Sequence, residues 1–275
     1  MNPDGRPLIL LTNDDGIGSP GLWAAAESLS QIGYVTVAAP RDQSTGAGRS
    51  MPITSDGIIR EEHVEVGGKT WTVYAVGGTP AQTVQHAILE LLPRRPDLLV
   101  AGINYGENLT TSVTMSGTVG AALEGASAGV PALAISLEMD SRFFHTHDQA
   151  IEFSTAAHFA ALFGRLLLST PHVGDVDVLK VDIPADATPA TAWQMTRLSH
   201  TMYYHPVMPD RRSQSNPGRV GYAISPERDR LEPDSDVYVV RVARQISVTP
   251  LSLDLTSRAD FPSLEKQLRA GPSAG

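Results

Sequence analysis

The fold is decided by the stretch Leu8-Ile9-Leu10-Leu11-Thr12-Asn13-Asp14-Asp15-Gly16-Ile17-Gly18-Ser19-Pro20-Gly21. Its four aliphatic residues predict a strand that is buried on both faces, as in a parallel sheet. Asp14 and Asp15 follow where that strand ends, and a glycine-rich turn then leads into a segment with helical periodicity. Ligands of open parallel sheets bind beyond the carboxyl ends of the strands. The two carboxylates therefore stand where a ligand is expected, and their mutual repulsion favours a divalent cation.

Length and composition indicate an ordinary globular chain. It has 275 residues, 41% hydrophobic and 19% charged, which suffices for one large domain or one domain with an appendage. The net charge of −9 argues against a nucleic-acid partner, because sequence-independent binding needs a basic surface. The absence of cysteine excludes disulfides and thiolate chemistry. Residues 1–7 have no apolar signal core and no long apolar run follows, so we predict a cytoplasmic protein without a membrane partner.

Strands and helices alternate along the first part of the chain. This pattern predicts a doubly wound, mostly parallel α/β sheet with helices on both faces, a Rossmann-like three-layer arrangement. An inserted hairpin is expected over 58–76, where two strand-like runs flank Gly67-Gly68. Short strand-like runs, including Val237 to Val242, predominate later. We therefore predict a core domain over 1–185 that carries the site, and a β-rich C-terminal appendage over 186–275 that packs on the core or on another subunit.

Polar residues also follow two further predicted strands. The loop Gln43–Ser50 offers hydroxyls and backbone N–H groups, and Asn104 supplies a neutral oxygen that suits a hard cation. Asn108 comes shortly afterwards. Ser116-Gly117-Thr118 precedes a helix, where free N–H groups and two hydroxyls favour an anion site, although a simple helix cap has the same pattern. If the sheet is doubly wound, these strand ends meet at one edge.

The opening stretch also satisfies a dinucleotide-binding fingerprint. Gly16-Ile17-Gly18-Ser19-Pro20-Gly21 is G-x-G-x-x-G between a strand and a helix, which leaves an NAD(P)-binding oxidoreductase as an alternative. Asp14 and Asp15 weaken this alternative, because carboxylates beside the turn repel a pyrophosphate when no cation is present. A dinucleotide site also needs an acidic residue that binds the ribose. The second strand ends in Ala39-Pro40-Arg41-Asp42, which matches that requirement only approximately.

Several motifs in one order make the chain resemble the SurE family of metal-dependent 5′/3′-nucleotidases. They are Leu11-Thr12-Asn13-Asp14-Asp15-Gly16, Ala39-Pro40, Thr45-Gly46-Ala47, Gly77-Gly78-Thr79-Pro80, Gly102-Ile103-Asn104-Tyr105-Gly106-Glu107-Asn108-Leu109, Ser116-Gly117-Thr118-Val119-Gly120-Ala121-Ala122-Leu123-Glu124-Gly125 and Val248-Thr249-Pro250-Leu251-Ser252-Leu253-Asp254-Leu255-Thr256. The resemblance implies a phosphomonoesterase that hydrolyses nucleoside 5′-monophosphates to nucleoside and phosphate, with 3′-monophosphates as a further substrate class.

The resemblance also implies roles for individual residues. One divalent metal ion per subunit, Mg²⁺ or Mn²⁺, is expected on Asp14, Asp15, the hydroxyl of Thr45, and Asn104, with the two carboxylates as catalytic residues. The family's loop ligand is a serine where the spacing places Thr45, so Ser44 is the substitute candidate. The residues expected to bind the substrate phosphate are Asn13, Asn108, Ser116, Gly117 and Thr118.

The family resemblance further implies a homodimer or homotetramer formed through exchanged C-terminal segments. This agrees with a C-terminal set of strands too small to bury a core of its own. A non-catalytic nucleotide-binding member of the same fold stays open as a third alternative. It is supported by Thr45 and by Ala81-Gln82, where the chain departs from the usual family pattern.

Overall fold

A single large sheet runs through the computed structural model, which describes residues 5–143, 150–224 and 231–271. The strands in chain order are β1 (Leu8–Thr12), β2 (Tyr34–Pro40), β3 (Ile59–Val66), β4 (Lys69–Val76), β5 (Leu98–Tyr105), β6 (Ala132–Leu137), β7 (Val178–Ile183), β8 (Trp193–Met195), β9 (Tyr204–Val207), β10 (Gly221–Ile224) and β11 (Ile246–Leu251). The helices are α1 (Pro20–Leu29), α2 (Pro80–His86), α3 (Gly117–Ser127), α4 (Ser154–Ser169), α5 (Asp236–Arg241) and α6 (Phe261–Ala270). A π-helical turn, Ala87–Leu91, extends α2, and short 3-10 helices cover Thr110–Met115 and Ser141–Phe143.

The strand order places the ends of β1 and β5 side by side. Across the sheet the order is β3-β4-β2-β1-β5-β6-β7-β11-β8, while β9 and β10 form a separate hairpin. All neighbours from β4 to β7 are parallel, and β3 is antiparallel to β4. The chain leaves β1 toward β2 and later returns to β5 on the other side, so the topological switch point lies between β1 and β5. The predicted doubly wound, mostly parallel sheet with an inserted hairpin is confirmed.

Helices cover both faces of the sheet, and each face has its own apolar layer. Ile9 and Leu11 belong to the layer with α1 and α4, whereas Leu8 and Leu10 belong to the layer with α2 and α3. A strand covered on both faces needs apolar residues at every position, which explains the unbroken aliphatic run. The predicted three-layer arrangement is therefore confirmed. None of the described helices is both long enough and apolar enough to cross a bilayer.

The prediction of a strand over Val237 to Val242 is wrong, because Asp236–Arg241 forms α5. The Ser235 hydroxyl caps this helix by accepting a hydrogen bond from a backbone N–H of the first turn, at 3.2 Å. Val237 and Val240 stand at helical spacing and pack in the same small apolar cluster. The β-branched residues favoured a strand, but the cap and the packing override that preference.

The C-terminal segment adds two strands to the large sheet. β11 pairs antiparallel with β7, and β8 then pairs parallel with β11 at the edge. The β-rich character predicted beyond residue 185 is therefore present, and part of it continues the main sheet. The division into a core over 1–185 and an appendage over 186–275 stays a prediction.

Candidate metal and phosphate site

The two adjacent carboxylates lie at the switch point of the sheet. Asp14 and Asp15 follow the end of β1 after one intervening residue, Asn13, and Thr12 is in register with Ala101 of β5. The pairing of β5 with β6 shifts register between Ala101 and Asn104. Such an irregularity re-aims the side chains that follow it. The sheet thus brings Asn104 to the same edge as the carboxylates.

A tight turn holds both carboxylates at this edge. The Asn13 side chain closes it, because Nδ2 donates to the Gly16 carbonyl oxygen at 3.1 Å and Oδ1 accepts from Gly16 N at 3.2 Å. Gly16 has a φ of +94°, in the region that favours glycine. Asn13 therefore shapes the turn, and the predicted contact of Asn13 with phosphate stays a prediction.

Asp14 is almost fully buried, with 3% of its surface exposed. Its Oδ1 accepts a hydrogen bond from the Thr118 hydroxyl, and its backbone carbonyl accepts one from Ser44 N at 2.7 Å. Burial raises the pKa of Asp14 from 3.8 to about 6, although the Thr118 hydroxyl and backbone N–H groups, including those of Thr118 and Gly117, act to lower it. The first turn of α3 thus faces this carboxylate directly.

Asp15 is held by the neighbouring strand and by the loop after β2. Its Oδ2 accepts from Tyr105 N at 3.2 Å, and its Oδ1 accepts from Gln43 Nε2 at 3.2 Å. Burial, and then the negative charge of Asp14, raise the pKa of Asp15 well above its usual value. The sequence does not predict this role for Gln43, because a glutamine in a polar loop carries no signal of such a contact.

The donor set fits a hard divalent cation. Burial raises the pKa of both carboxyls, and the charge of Asp14 raises that of Asp15 further, so a cation beside them would stabilise their charged forms. Asn104 donates its Nδ2 to the Gly106 carbonyl oxygen at 2.6 Å, which leaves its Oδ1 as an acceptor. Within the described residues no cluster of three or more His, Asp or Glu side chains could hold a metal. A metal ion here therefore requires neutral oxygens beside the two carboxylates.

Two hydroxyls of the loop after β2 are candidates for such an oxygen. Ser44 is half-buried, its N–H is bound to Asp14, and its hydroxyl donates weakly to the Asp42 carbonyl oxygen at 3.4 Å. The next residue, Thr45, is exposed. In the part of the chain that the structure describes, the Thr45 hydroxyl makes no hydrogen bond, so it is available to a ligand.

Gly117 is in unusually close contact with Asp14. A Cβ atom at Gly117 would lie 2.7 Å from the Asp14 Cβ and 2.8 Å from Asp14 Oδ2, distances that real Cβ atoms do not tolerate. Ser116 caps α3 by accepting from Val119 N at 3.1 Å. The start of α3 therefore combines a hydroxyl cap with a residue that lacks a side chain, and the missing side chain lets the backbone of α3 approach Asp14.

The predicted site residues are only partly in direct contact. Asp14 contacts Ser44, Gly117 and Thr118, and Asp15 contacts the residue after Asn104. In the part of the chain that the structure describes, Thr45, Asn108 and Ser116 form no hydrogen bond with Asp14. Asn108 instead donates its Nδ2 to the Ser136 hydroxyl at 2.8 Å, on the adjacent strand β6. The roles predicted for these residues in binding metal or phosphate stay predictions.

Known proteins are similar to this chain in both sequence and fold. A sequence profile described as Survival protein SurE matches residues 9–205. A protein named 5′-nucleotidase SurE from Thermococcus kodakarensis is 38% identical over 264 residues, spanning 96% of this chain and 99% of its own length. A 5′-nucleotidase SurE from Archaeoglobus fulgidus is 39% identical, spanning 94% of this chain and 95% of its own. A crystal structure of a SurE protein from Aquifex aeolicus has a TM-score of 0.75 at 28% identity, covering 95% of this chain and all of its own.

Proposed function

Because this chain belongs to the SurE family, we propose that it is a nucleotidase that hydrolyses nucleoside 5′-monophosphates at the Asp14–Asp15 site. The observation that carries the proposal is the pair of buried carboxylates at the switch point, which faces the N-terminus of α3. Family membership removes the oxidoreductase alternative for the glycine fingerprint. Nucleoside 3′-monophosphates are a further substrate class in this proposal, and the cytoplasmic location stays a prediction.

One divalent ion per subunit, Mg²⁺ or Mn²⁺, completes the proposed site. Asp14, Asp15, Asn104 and a hydroxyl of the loop after β2 would hold it, because all of them offer oxygen ligands. Such an ion, when bound, acts as a Lewis acid on the phosphoryl group and lowers the pKa of a water molecule. The buried position of both carboxylates supports this assignment, since an ion relieves the cost of their charge.

The residues of the chain then have distinct tasks in hydrolysis. A water oxygen forms a bond to phosphorus as the bond from phosphorus to the nucleoside oxygen breaks. A carboxylate oxygen of Asp14 or Asp15 accepts the proton of the water, and the nucleoside oxygen takes a proton from solvent. The backbone N–H groups at the start of α3 and the side-chain amide of Asn108 stabilise the negative charge on the phosphoryl oxygens.

Phosphate release from nucleoside monophosphates tests this proposal. We expect the purified protein to release phosphate from 5′-AMP or 5′-GMP with Mg²⁺ or Mn²⁺, to lose this activity in excess chelator, and to regain it when the metal is restored. A protein that binds the nucleotide without releasing phosphate under any of these metal conditions would be the non-catalytic member of the family. Activity that persists in chelator would contradict the metal assignment.

Alanine substitutions at positions 44 and 45 distinguish the two hydroxyl candidates. We expect Thr45→Ala to raise the metal concentration for half-maximal activity about tenfold, or about 1.4 kcal/mol, because the available Thr45 hydroxyl is lost. Thr45→Ser should restore the original value. Ser44→Ala should change it by less than about twofold, because the Ser44 hydroxyl donates to the Asp42 carbonyl oxygen and Ser44 binds Asp14 through its backbone N–H. The reverse ranking in a metal titration would assign the ligand to Ser44.

We also propose a homodimer or homotetramer that forms through the C-terminal segment. None of the residues of α6 is buried, and Phe261, Leu264 and Leu268 on it are 56%, 41% and 73% exposed. They recur at helical spacing and form an apolar stripe. A helix with such a stripe is stable only when the stripe is covered, and a second copy of the chain is the occupant that the family resemblance implies.

The molar mass in solution tests this assembly. We expect light scattering to give a multiple of the 29.3 kDa chain mass, and Leu264→Asp with Leu268→Asp to lower it. Leu89→Asp is the matched control, because Leu89 is 81% exposed but lies on the π-helical turn after α2. A monomeric native protein, or a double variant of unchanged mass, would contradict the proposal.

A further inference from the structure

A network of buried charges lies beside the loop that carries Asn108. Lys180 and Asp182 stand two residues apart on β7, and Asp236 begins α5; all three are 0% exposed. The Lys180 ammonium forms ion pairs with Asp182 and with Asp236, the latter at 3.1 Å. Burial alone would lower the pKa of Lys180, but the two carboxylates outweigh it and raise that pKa, so the ammonium stays charged.

This network binds both backbone groups of Asn108. The Asn108 N–H donates to Asp182 Oδ1 at 2.7 Å, and the Asn108 carbonyl oxygen accepts from Lys180 Nζ at 2.8 Å. The three N–H donors of Lys180 are therefore matched by three oxygens, those of Asn108, Asp182 and Asp236. A residue whose N–H and C=O are both held by buried ions has little freedom to move.

The same network extends to Thr110, two residues further along the loop. Thr110 has a φ of +64°, which a β-branched residue rarely adopts. Its N–H donates to Asp236 Oδ2 at 2.9 Å, and the other oxygen of Asp236 accepts from Ser199 N at 3.1 Å. A backbone conformation of this kind persists only where the surrounding structure imposes it. The network thus holds the loop in a shape that it would not adopt by itself.

Stability alone does not account for these buried charges. Removing charged groups from water costs several kcal/mol each, and well-packed apolar residues often stabilise a protein as much as a buried ion pair does. What charged groups add is directional hydrogen bonding at fixed distances. Here that bonding is directed at the backbone of a loop whose Asn108 amide is a proposed phosphate contact.

We propose that Lys180, Asp182 and Asp236 are positioning residues. They hold the backbone of Asn108 so that its side-chain amide is in place for the phosphate of the substrate. This inference rests on the proposed nucleotidase function. The phosphate contact of Asn108 is thereby distinct from the metal half of the site, because the proposed metal ligands lie on the turn after β1, on β5 and on the loop after β2. Disturbing the network should therefore weaken phosphate binding and leave metal binding as it was.

Asp182→Asn is the most direct test. Asp182 uses one oxygen for Asn108 and the other for Lys180, whereas asparagine has a single acceptor, so one of the two donors loses its partner. We expect KM for 5′-AMP and the inhibition constant of inorganic phosphate to rise about tenfold, the effect of one lost buried hydrogen bond. The metal concentration for half-maximal activity should stay within about twofold. Amide hydrogen exchange over residues 106–112 should become faster.

Asp177→Asn is the matched control. Asp177 directly precedes the same strand and also accepts a backbone N–H, that of Leu253 at 2.6 Å, but it lies at the opposite end of β7. This variant should leave KM, phosphate inhibition and exchange over 106–112 unchanged. A thermal unfolding transition above the assay temperature shows that each variant is folded when its kinetics are compared with those of the native protein.

The outcomes separate this inference from the proposed function. Faster exchange with unchanged KM and phosphate inhibition in Asp182→Asn would overturn the positioning role. Unchanged exchange would show that the network does not restrain the backbone of Asn108. If Asp182→Asn does not fold, Asp236→Asn takes its place with the same expectations; failure of both to fold would show a requirement for folding instead of positioning. A native protein without nucleotidase activity would refute the proposed function. Hydrogen exchange would still test whether the network restrains the backbone of Asn108.

Discussion

Asp14→Asn and Asp15→Asn are each expected to lower nucleotidase turnover at least about 10³-fold at saturating Mg²⁺ or Mn²⁺. Asparagine has nearly the same shape as aspartate, but it removes the negative charge that a metal ion requires and the oxygen that accepts a proton. Steady-state phosphate release measures the loss. Asp42→Asn is the control, because Asp42 is an exposed carboxylate in the adjacent loop that pairs with Arg41. Near-normal rates in both Asp14 and Asp15 variants would refute the mechanism.

The same two substitutions should stabilise the metal-free protein at neutral pH. The pKa of Asp14 is raised from 3.8 to about 6, and that of Asp15 is also raised, so folding favours the protonated carboxyls. The contribution of Asp14 to stability is fully present below its unfolded pKa of 3.8 and is lost as the pH rises through about 6. The contribution of Asp15, whose pKa is also raised by folding, is lost in the same direction. In chelator, the Tm of the native protein should therefore fall from pH 5 to pH 8, and that of Asp14→Asn should fall less. Each 1 kcal/mol corresponds to about 2–4 °C in a chain of this size. A native Tm that rises over this range would contradict the assignment.

Gly117→Ala is expected to lower kcat/KM by about 10²-fold, as a displacement of roughly 1 Å at a reacting group does. The added methyl would lie 2.7 Å from the Asp14 Cβ, and Asp14 is too buried to move aside without breaking its contact with Thr118. Alanine has a higher helix propensity than glycine by about 1 kcal/mol, so α3 itself should not be weakened. Steady-state kinetics and a metal titration of the variant measure the effect.

Gly221→Ala is the control for this substitution. A Cβ at Gly221 meets nothing nearer than the Val207 Cβ at 3.9 Å, and Gly221 lies in the separate β9–β10 hairpin. Its kinetics should match those of the native protein. If Gly117→Ala behaves in the same way, the close approach of α3 to Asp14 has no importance for activity.

The sequence predicted the sheet well because periodicity reports burial. The unbroken run Leu8–Leu11 indicated a strand covered on both faces, and the polar break after it marked the edge where ligands bind. Periodicity does not report which strands are neighbours. The insertion of β11 between β7 and β8, and the helix over Asp236–Arg241, depend on tertiary contacts that a local pattern does not contain.

The site was predicted only at the level of which residues gather at one edge. The spacing and the family resemblance named Asp14 and Asp15, but they did not indicate that the Thr118 hydroxyl binds Asp14 or that Gln43 binds Asp15. The sequence does contain a signal for the ion pair of Lys180 and Asp182. Two opposite charges two residues apart, inside an apolar strand of a parallel sheet, must be paired in the interior. Their target, the backbone of Asn108, follows only from the three-dimensional structure.

The order in which the network is assembled also has a consequence for synthesis on the ribosome. Every residue proposed to bind metal or phosphate has been added to the chain by Thr118, and the family profile ends at residue 205. Asp236 is added later, followed by β11, the strand that pairs with β7 beside Lys180. A nascent chain therefore contains the complete set of proposed ligands long before the buried charge network around Asn108 can form. Translation must pass residue 251 before that part of the site is fully supported.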